Sequence, residues 1–224
     1  MDGKKSNKPY VIVGGFMSID GKTAPRNRQG MLFTQFMDQK LHGKLHKIRA
    51  SMDAILVGVG TILMDNPRLT VRYSKGKNPT RLVLDSMART PLNSSILNVE
   101  EAKTIIFVSE QAPVDRVQNL KKRGVEIIRC GTGKIDISKM LRELYGMGIK
   151  KLLVEGGSEV RWGFFKERVV DELFVWIIPA IWGGKEAPTY VDGEGFIRPE
   201  DATALRLKNV KTMGKILILE FFVE

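Results

Sequence analysis

Residues 54–65 read AILVGVGTILMD, a short apolar run followed by two glycines and then by a second apolar segment of helical character. Residues 151–166, KLLVEGGSEVRWGFFK, repeat this order. The apolar runs predict buried strands at Ala54–Val57 and Lys151–Val154, each followed by a helix. A glycine turn between a strand and a helix is a place where backbone amides and the helix dipole can hold a phosphate.

The two glycine pairs, Gly58 with Gly60 and Gly156 with Gly157, also suit plain tight turns, because glycine adopts turn conformations without strain. Neither pair completes a G-x-G-x-x-G motif, since Leu63 stands where the first would need its third glycine, and no G-x-x-x-x-G-K-[ST] motif occurs. Two such turns in a chain of formal net charge +11 favour a phosphate-bearing ligand.

The alternation of strand and helix continues on both sides of these stretches. Further strands are predicted at Tyr10–Met17, Arg81–Leu84, Thr104–Val108 and Val125–Arg129. Helices with one apolar face are predicted at Thr34–Ser51, Val114–Arg123 and Asp136–Met147. This order is typical of an α/β fold with a mainly parallel central sheet and helices on both of its faces.

The end of the chain departs from this alternation. The last predicted strands are Glu172–Ile178, Arg206–Val210 and Ile216–Val223. No long helix separates the final two, and Met213 with Gly214 supplies a turn between them. The chain is therefore predicted to close with a C-terminal antiparallel hairpin.

The composition is that of an ordinary globular protein, with 43% hydrophobic and 27% charged residues. No linker divides the chain, so we predict a single domain over residues 1–224, with a flexible leader at residues 1–8. No apolar run reaches the roughly 18 to 20 residues of a membrane span, and the start lacks a secretory signal, so a cytoplasmic protein is expected. The single cysteine, Cys130, excludes an internal disulfide.

The net charge of +11 and the pI of about 9.8 indicate a polyanionic or phosphorylated partner. The lysines and arginines are scattered along the chain, and aromatic residues make up only 8% of it. A single-strand-binding surface would instead interleave cations with aromatic rings. Small anionic ligands are therefore expected rather than nucleic acid, although a nucleic-acid-binding module remains the alternative from another functional class.

Two more strand ends carry ligand candidates. A third glycine turn begins at Gly131, where a ligand contact and a plain turn are equally consistent with the sequence. At the end of another strand, the Asp85 carboxylate is a candidate acceptor for a ribose hydroxyl, while Ser86 and Arg89 can donate to a 2′-phosphate. These residues leave the choice between NAD and NADP open.

Arg49, near the end of the first long helix, and Arg72, in the loop Asn66–Arg72, are candidate phosphate ligands, because a guanidinium donates in a fixed fork. His42 and His46 lie four residues apart but form no H-E-x-x-H motif, so they are expected to be solvent-exposed helix residues, and no metal is expected. The G-x-S-x-G motif that would indicate an α/β-hydrolase is absent from the sequence. Hydride transfer from a nicotinamide demands fewer specialised side chains than hydrolysis by a metal or a catalytic triad, because the cofactor carries the chemistry.

Four segments occur in a characteristic order. They are Ser18–Ala24 (SIDGKTA), Val57–Arg72 (VGVGTILMDNPRLTVR), Val83–Ser86 (VLDS) and Val154–Ser158 (VEGGS). Together they resemble the riboflavin-pathway reductase family over almost the whole chain, in particular its stand-alone archaeal members. The resemblance implies a dihydrofolate-reductase-like fold, a homodimer, and NADPH as hydride donor.

The resemblance also implies which residues form the site. Those expected to contact NADPH are Thr61, Asp65, Ser86 at the adenosine 2′-phosphate, and Gly156, Gly157, Ser158 and Glu159 at the pyrophosphate. Those expected at the substrate are Arg49 and Arg72 on its 5′-phosphate, Leu69, and Glu155 near its pyrimidine.

The implied activity is reduction of the ribosyl group of a phosphorylated pyrimidine ribosylamine. Two histidines and one cysteine cannot form the zinc deaminase of the bacterial relatives, so the substrate is expected to keep its 2-amino group. The hypothesis for the mechanism is that the sugar opens to an imine and accepts hydride at C1′. Glu155, Asp20 and Lys22 are candidate proton donors or acceptors, although a salt bridge explains each equally well.

Reduction of dihydrofolate is the enzymatic alternative, since the folds resemble each other and both reactions use NADPH. Arg49 and Arg72 favour a phosphorylated substrate over a folate.

Overall fold

A computed structural model describes residues 7–224 and contains one nine-stranded sheet within them. The strands are β1 (Tyr10–Ser18), β2 (Ala54–Gly58), β3 (Thr80–Leu84), β4 (Thr104–Val108), β5 (Glu126–Arg129), β6 (Lys151–Gly156), β7 (Glu172–Ile178), β8 (Leu205–Met213) and β9 (Ile216–Val223). The helices are α1 (Gln39–Ala50), α2 (Val59–Asp65), α3 (Val114–Lys121), α4 (Ile137–Gly146) and α5 (Ser158–Lys166). Short 3₁₀ segments occur at Gly30–Phe36, Ser95–Leu97 and Pro199–Asp201.

The strands β1 to β7 pair in parallel, and β8 and β9 complete the sheet with antiparallel pairs. Every residue of β2 and β4 is buried, which is characteristic of strands covered on both faces. Alternate side chains of β2 point to opposite faces: Ile55 and Val57 pack with α1, α2 and α3, whereas Ala54 and Leu56 pack with α4 and α5. The predicted mainly parallel sheet with helices on both faces is confirmed.

The order of the strands in the sheet is β5-β4-β3-β2-β6-β1-β7-β9-β8. The late strand β6 lies between β2 and β1, so the carboxyl ends of β2 and β6 are adjacent, with Val57 opposite Gly156. Open α/β sheets bind ligands in the crevice beyond the carboxyl ends of strands where the strand order reverses. The two glycine turns of the sequence therefore meet at this edge.

The first predicted helix begins later than expected. The prediction placed it at Thr34–Ser51, but α1 begins at Gln39 because the side chain of Asp38 caps it, accepting a hydrogen bond from the Leu41 amide at 2.8 Å. The preceding residues form the separate 3₁₀ segment Gly30–Phe36.

The predicted C-terminal hairpin is confirmed, with Met213 paired to Ile216 and Gly214 in the turn at a φ of 58°. Of the leader predicted at residues 1–8, residues 1–6 lie outside the described part of the chain, and Lys8 forms an ion pair with Asp171 at 2.6 Å. Among the helices of residues 7–224, none has the length and apolar character needed to cross a membrane.

Candidate active site

A cavity of about 1820 Å³ runs along the carboxyl edge of the sheet. Its walls come from the turns after β2, β3 and β6, the last turns of α1, the loop after α2 and the 3₁₀ segment Gly30–Phe36. Pockets for one small ligand usually measure about 300 to 1000 Å³. This cavity therefore has room for two ligands side by side.

The two glycine turns pack directly against each other. A Cβ on Gly58 would lie 2.7 Å from a methyl group of Val160, and a Cβ on Gly156 would lie 3.0 Å from the Thr61 hydroxyl. Both glycines are therefore required for the close approach of α5 to the turn after β2, whether or not a ligand is bound. Thr61 itself lines the cavity beside this contact.

The N-terminus of α5 opens into the cavity. Gly157, with a φ of 91°, turns the chain from β6 into α5 and offers no side-chain cap to the first-turn amides. By contrast, the side chains of Asp38 and Asp136 cap α1 and α4. Ser158 and Glu159 line the cavity at this end, and the Ser158 hydroxyl donates to Asp192 at 2.6 Å. Uncapped amides at a positive dipole end are suited to a phosphate or pyrophosphate group.

The turn after β3 supplies a hydroxyl and a cation to the same cavity. Ser86 and Arg89 both line it, and the Arg89 side chain is 53% exposed. Asp85 is fully buried instead, and one carboxylate oxygen accepts from the Thr90 amide at 2.7 Å and the Thr90 hydroxyl at 2.8 Å. The hypothesis that Asp85 binds a ribose hydroxyl is wrong, because its carboxylate stabilises its own turn out of reach of a ligand.

Asp65 connects α2 with the segment that covers the cavity. Its carboxylate accepts from the Met31 amide at 3.2 Å, and burial raises its pKa against the lowering effect of the Met31 and Gly30 amides. Asp65 lines the cavity, as expected of a residue near a cofactor, but its hydrogen bonds hold the 3₁₀ segment Gly30–Phe36 in place.

Three other sequence candidates lie away from the cavity lining. Gly131 is explained by its turn, because a Cβ there would lie 2.1 Å from the Lys134 carbonyl oxygen. Asp20 accepts from the Ser18 hydroxyl at 2.5 Å and from the Gly183 amide at 2.7 Å, and these hydrogen bonds, that of Ser18 foremost, lower its pKa. The Lys22 ammonium donates to the Ala187 carbonyl at 3.1 Å. The structure therefore does not bring Asp20 or Lys22 together with Glu155.

Arg49 and Glu155 form an ion pair in the wall of the cavity. The Arg49 Nε atom donates to Glu155 Oε2 at 2.9 Å, and its Nη2 atom donates to Oε1. The side chains are only 9% and 14% exposed. Arg49 was expected on the substrate phosphate, but its guanidinium is already engaged by a carboxylate in this structure.

Arg72 is the other of the two sequence-predicted phosphate ligands, and its charge stays available. Within residues 7–224 no carboxylate forms an ion pair with it, and its Nη1 atom donates to the Thr70 hydroxyl at 2.8 Å. Burial lowers its pKa, and the neighbouring Arg49 and Arg68 lower it further. Leu69, buried and in the cavity wall, has a φ of 52°, a costly conformation for leucine that sets the course of this loop.

His46 contradicts the prediction of two solvent-exposed helix histidines. It is only 2% exposed, and its Nδ1 atom accepts a hydrogen bond from the Arg72 amide at 2.8 Å. Burial lowers its pKa to about 4, and the positive charges of Arg49 and Arg72 contribute. The sequence contained one signal of this role, since His46 and Arg49 are three residues apart and share a helix face.

The site offers no obvious place for a metal ion. Across residues 7–224, no three side chains of His, Cys, Asp or Glu are grouped closely enough to hold one.

Residues 9–219 match the family model described as the RibD C-terminal domain. The chain belongs to this family. Two similar proteins are each named 2,5-diamino-6-ribosylamino-4(3H)-pyrimidinone 5′-phosphate reductase. The one from Aquifex aeolicus (strain VF5) is 45% identical over 217 residues, which are 96% of this chain and 97% of that protein. The one from Methanothermobacter thermautotrophicus is 43% identical over 220 residues, with coverage of 97% and 99%.

A solved structure from Thermotoga maritima also resembles this RibD C-terminal domain. It is a diaminohydroxyphosphoribosylaminopyrimidine deaminase/5-amino-6-(5-phosphoribosylamino)uracil reductase, and it superposes with a TM-score of 0.75 at 28% identity. The match covers 96% of this chain and 57% of that longer chain. The dihydrofolate-reductase-like fold implied by the sequence resemblance is thereby confirmed.

In this RibD C-terminal domain, the cavity wall contains two sets of residues that differ in chemistry. One set combines the uncapped amides of α5 with Ser86 and Arg89, donors that fit the pyrophosphate and a 2′-phosphate of a nicotinamide dinucleotide. The other set is the carboxylate of Glu155 and the guanidinium of Arg72, which has no ion pair with any carboxylate of residues 7–224. The donor set present therefore fits the cofactor that the resemblance implies.

Proposed function

We propose that this chain reduces the ribosyl group of 2,5-diamino-6-ribosylamino-4(3H)-pyrimidinone 5′-phosphate to a ribityl group, with NADPH as the reductant. The observation that carries the proposal is a single cavity whose lining combines phosphate-binding features, at the start of α5 and at Ser86 and Arg89, with Arg72 and Glu155. The two similar proteins named for this reaction align over nearly their whole length.

For the cofactor, the α5 amides would bind the pyrophosphate. Ser86 and Arg89 would bind the 2′-phosphate that distinguishes NADPH from NADH. Thr61 would contact the cofactor between these two points, where it packs against Gly156. When bound, NADPH would supply a hydride to C1′ of the ring-opened sugar, and the imine nitrogen would take up a proton to give the ribitylamine.

For the substrate, Arg72 would bind the 5′-phosphate through a charge-assisted hydrogen bond. The Glu155 carboxylate would accept from the ring N–H and the 2-amino group of the pyrimidine, since each carboxylate oxygen has a further lone pair beyond its bond to Arg49. Arg49 fixes the orientation of that carboxylate. The substrate would thus be held through its pyrimidine and through its phosphate, with the ribosyl group between them.

We also propose that residues 1–224 act as one reductase domain in the cytoplasm, as the sequence pattern indicates, and as a homodimer, as the resemblance implies. Glu155 remains the candidate proton donor or acceptor, because it is the only one of the three sequence candidates that lines the described cavity.

The test is a direct assay. Purified protein is mixed with NADPH and the diaminopyrimidine ribosylamine phosphate, and the loss of nicotinamide absorbance is followed together with formation of the ribityl product. Dihydrofolate and the deaminated substrate serve as comparison substrates. Turnover of dihydrofolate with none of the ribosylamine would refute the proposal, and equal rates with both pyrimidines would refute the role assigned to the 2-amino group.

A further inference from the structure

His46 lies on α1 in the wall of the cavity, and the proposed function gives it no role so far. Its side chain is buried and precedes Arg49 by one helical turn. Its Nδ1 atom accepts a hydrogen bond from the backbone amide of Arg72, which is 26 residues further along the chain. The histidine therefore connects the helix with the loop that carries the unpaired cation.

This hydrogen bond fixes the protonation state of the ring. A nitrogen that accepts from an amide cannot carry a proton, so Nδ1 is bare and the neutral ring carries its proton on Nε2. The charged groups around the ring are Arg49, Arg72, Glu155 and His42. Burial and the two arginines oppose a further positive charge, so the acceptor persists over the neutral pH range.

The ring is also held in orientation by an aromatic contact. The Tyr73 ring packs edge-on against His46, with centroids 4.9 Å apart and planes inclined at 80°. Tyr73 directly follows Arg72, so the imidazole contacts two consecutive residues of the loop. Such an edge-on contact favours one placement of the loop.

Arg72 is consequently held at two points. His46 binds its backbone amide, and the hydroxyl of Thr70 binds its guanidinium at 2.8 Å. Thr70 in turn accepts from Arg49 through its carbonyl oxygen. A long arginine side chain loses less entropy on binding a phosphate when its backbone and one of its nitrogens are already fixed.

We propose that His46 is the positioning residue for phosphate recognition: its bare Nδ1 fixes the backbone of Arg72 so that the guanidinium faces the phosphate of the substrate. This inference rests on the proposed function, because it assigns the phosphate of that substrate to Arg72. A histidine that only satisfies a buried amide would affect stability and all substrates alike. A positioning role affects phosphorylated ligands selectively.

The experiment compares His46→Leu and His46→Asn with the parent enzyme. Leucine removes the acceptor, whereas the Asn Oδ1 atom can occupy the position of Nδ1 and accept from the same amide. Kinetic constants are measured for the phosphorylated substrate and for its dephosphorylated ribosylamine. We expect His46→Leu to raise KM for the phosphorylated substrate about tenfold, the effect of one misplaced charge-assisted hydrogen bond, with little change in kcat.

For the dephosphorylated compound, kcat/KM of His46→Leu should match that of the parent. His46→Asn should recover most of the lost affinity. His42→Leu is the matched control, because His42 lies on the same helix and contacts the same Tyr73 ring but has no hydrogen bond to Arg72 among those described. A loss of equal size on both substrates, or a failure of asparagine to recover more than leucine, would overturn the inference.

A second measurement separates this inference from the proposed function. Inorganic phosphate is titrated into each variant by calorimetry, which requires no turnover. Weaker phosphate binding in His46→Leu and in Arg72→Met, without further weakening in the double variant, supports the positioning role even if the parent enzyme reduces another substrate. Phosphate binding that is unchanged in His46→Leu, in protein shown to be folded by its thermal transition, would refute it.

Discussion

Arg49 and Glu155, 106 residues apart in the chain, form an ion pair through two nitrogens and two oxygens at the point where the last turn of α1 meets the end of β6. Both side chains are more than four-fifths buried. Each charge therefore compensates the other for the hydration lost on burial. The pair also fixes the direction of the Glu155 carboxylate, the one sequence-predicted catalytic carboxylate in the described cavity wall.

Glu155→Gln should lower turnover and stability together. An amide cannot balance the Arg49 charge, so we expect the free energy of unfolding to fall by about 2 to 4 kcal/mol. A loss in kcat/KM of about 10- to 100-fold would indicate an orienting hydrogen bond, and a larger loss would indicate proton transfer. Asp20→Asn is the comparison and should keep turnover within about twofold, because the hydrogen bonds of Asp20 within residues 7–224 go to its own turn and to the loop at residues 182 and 183. Unchanged turnover in Glu155→Gln would remove Glu155 from the mechanism.

Gly157→Ala should weaken cofactor binding. At a φ of 91° an alanine costs about 1 to 2 kcal/mol, and its Cβ would lie 3.3 Å from the Val160 side chain, displacing the first turn of α5. Gly148→Ala is a matched control, because Gly148 has a φ of 87° with open space around its Cβ position. Both variants should lose similar stability in thermal unfolding, but only Gly157→Ala should raise KM for NADPH, by about tenfold. Equal KM values would show that α5 does not bind the cofactor.

His46 should make the protein less stable at acidic pH. Its pKa is about 4 in the folded state and 6.5 in the reference state, so the unfolded chain binds the extra proton between these values. Stability from this group is complete above about pH 6.5 and is lost as the pH falls toward 4, by about 2 to 3 kcal/mol. Denaturant unfolding of the parent and of His46→Gln, at pH 7 and at pH 4.5, measures the difference. If the two proteins lose equal stability between these pH values, His46 is not buried in its neutral form.

Arg89→Ala should reduce the preference for NADPH over NADH. The side chain is half exposed and its ion pair with the buried Asp85 is long, at 3.8 Å, so thermal unfolding is measured alongside to separate any loss of stability from a loss of affinity. We expect KM for NADPH to rise about tenfold while KM for NADH stays unchanged. Arg142→Ala on the exposed side of α4 controls for the loss of one positive charge from a basic protein. Parallel changes with both nucleotides would refute a specific contact with the 2′-phosphate.

The sequence predicted the elements of this fold well because strands and helices differ in local periodicity. Ala54–Val57 and Lys151–Val154 were recognisable as buried strands, and both are found in the sheet. That β6 would lie between β2 and β1 was not predictable, since it depends on pairing between segments about 100 residues apart. The start of α1 was placed too early because apolar periodicity identifies the buried face of a helix but does not show where a cap, here Asp38, begins it.

The site was predicted only in part, because burial and pairing depend on the folded loops. His46 was expected in solvent, yet Tyr73 and the amide of Arg72 cover it from a loop about 26 residues away. Asp85 was expected to face a ribose, yet Thr90 turns back to bind it. Arg49 lies in the cavity wall, but nothing in its sequence neighbourhood indicated Glu155 as its partner.

The insertion of β6 between β2 and β1 has a consequence for synthesis of the chain. Before residues 151–156 leave the ribosome, β1 and β2 have no partner along the edges that β6 will occupy. Such unpaired edges are sites of intermolecular association, and pairing across about 100 or more residues is slow to form. A nascent chain that pauses before β6 should therefore depend on chaperones more than one that pauses after it.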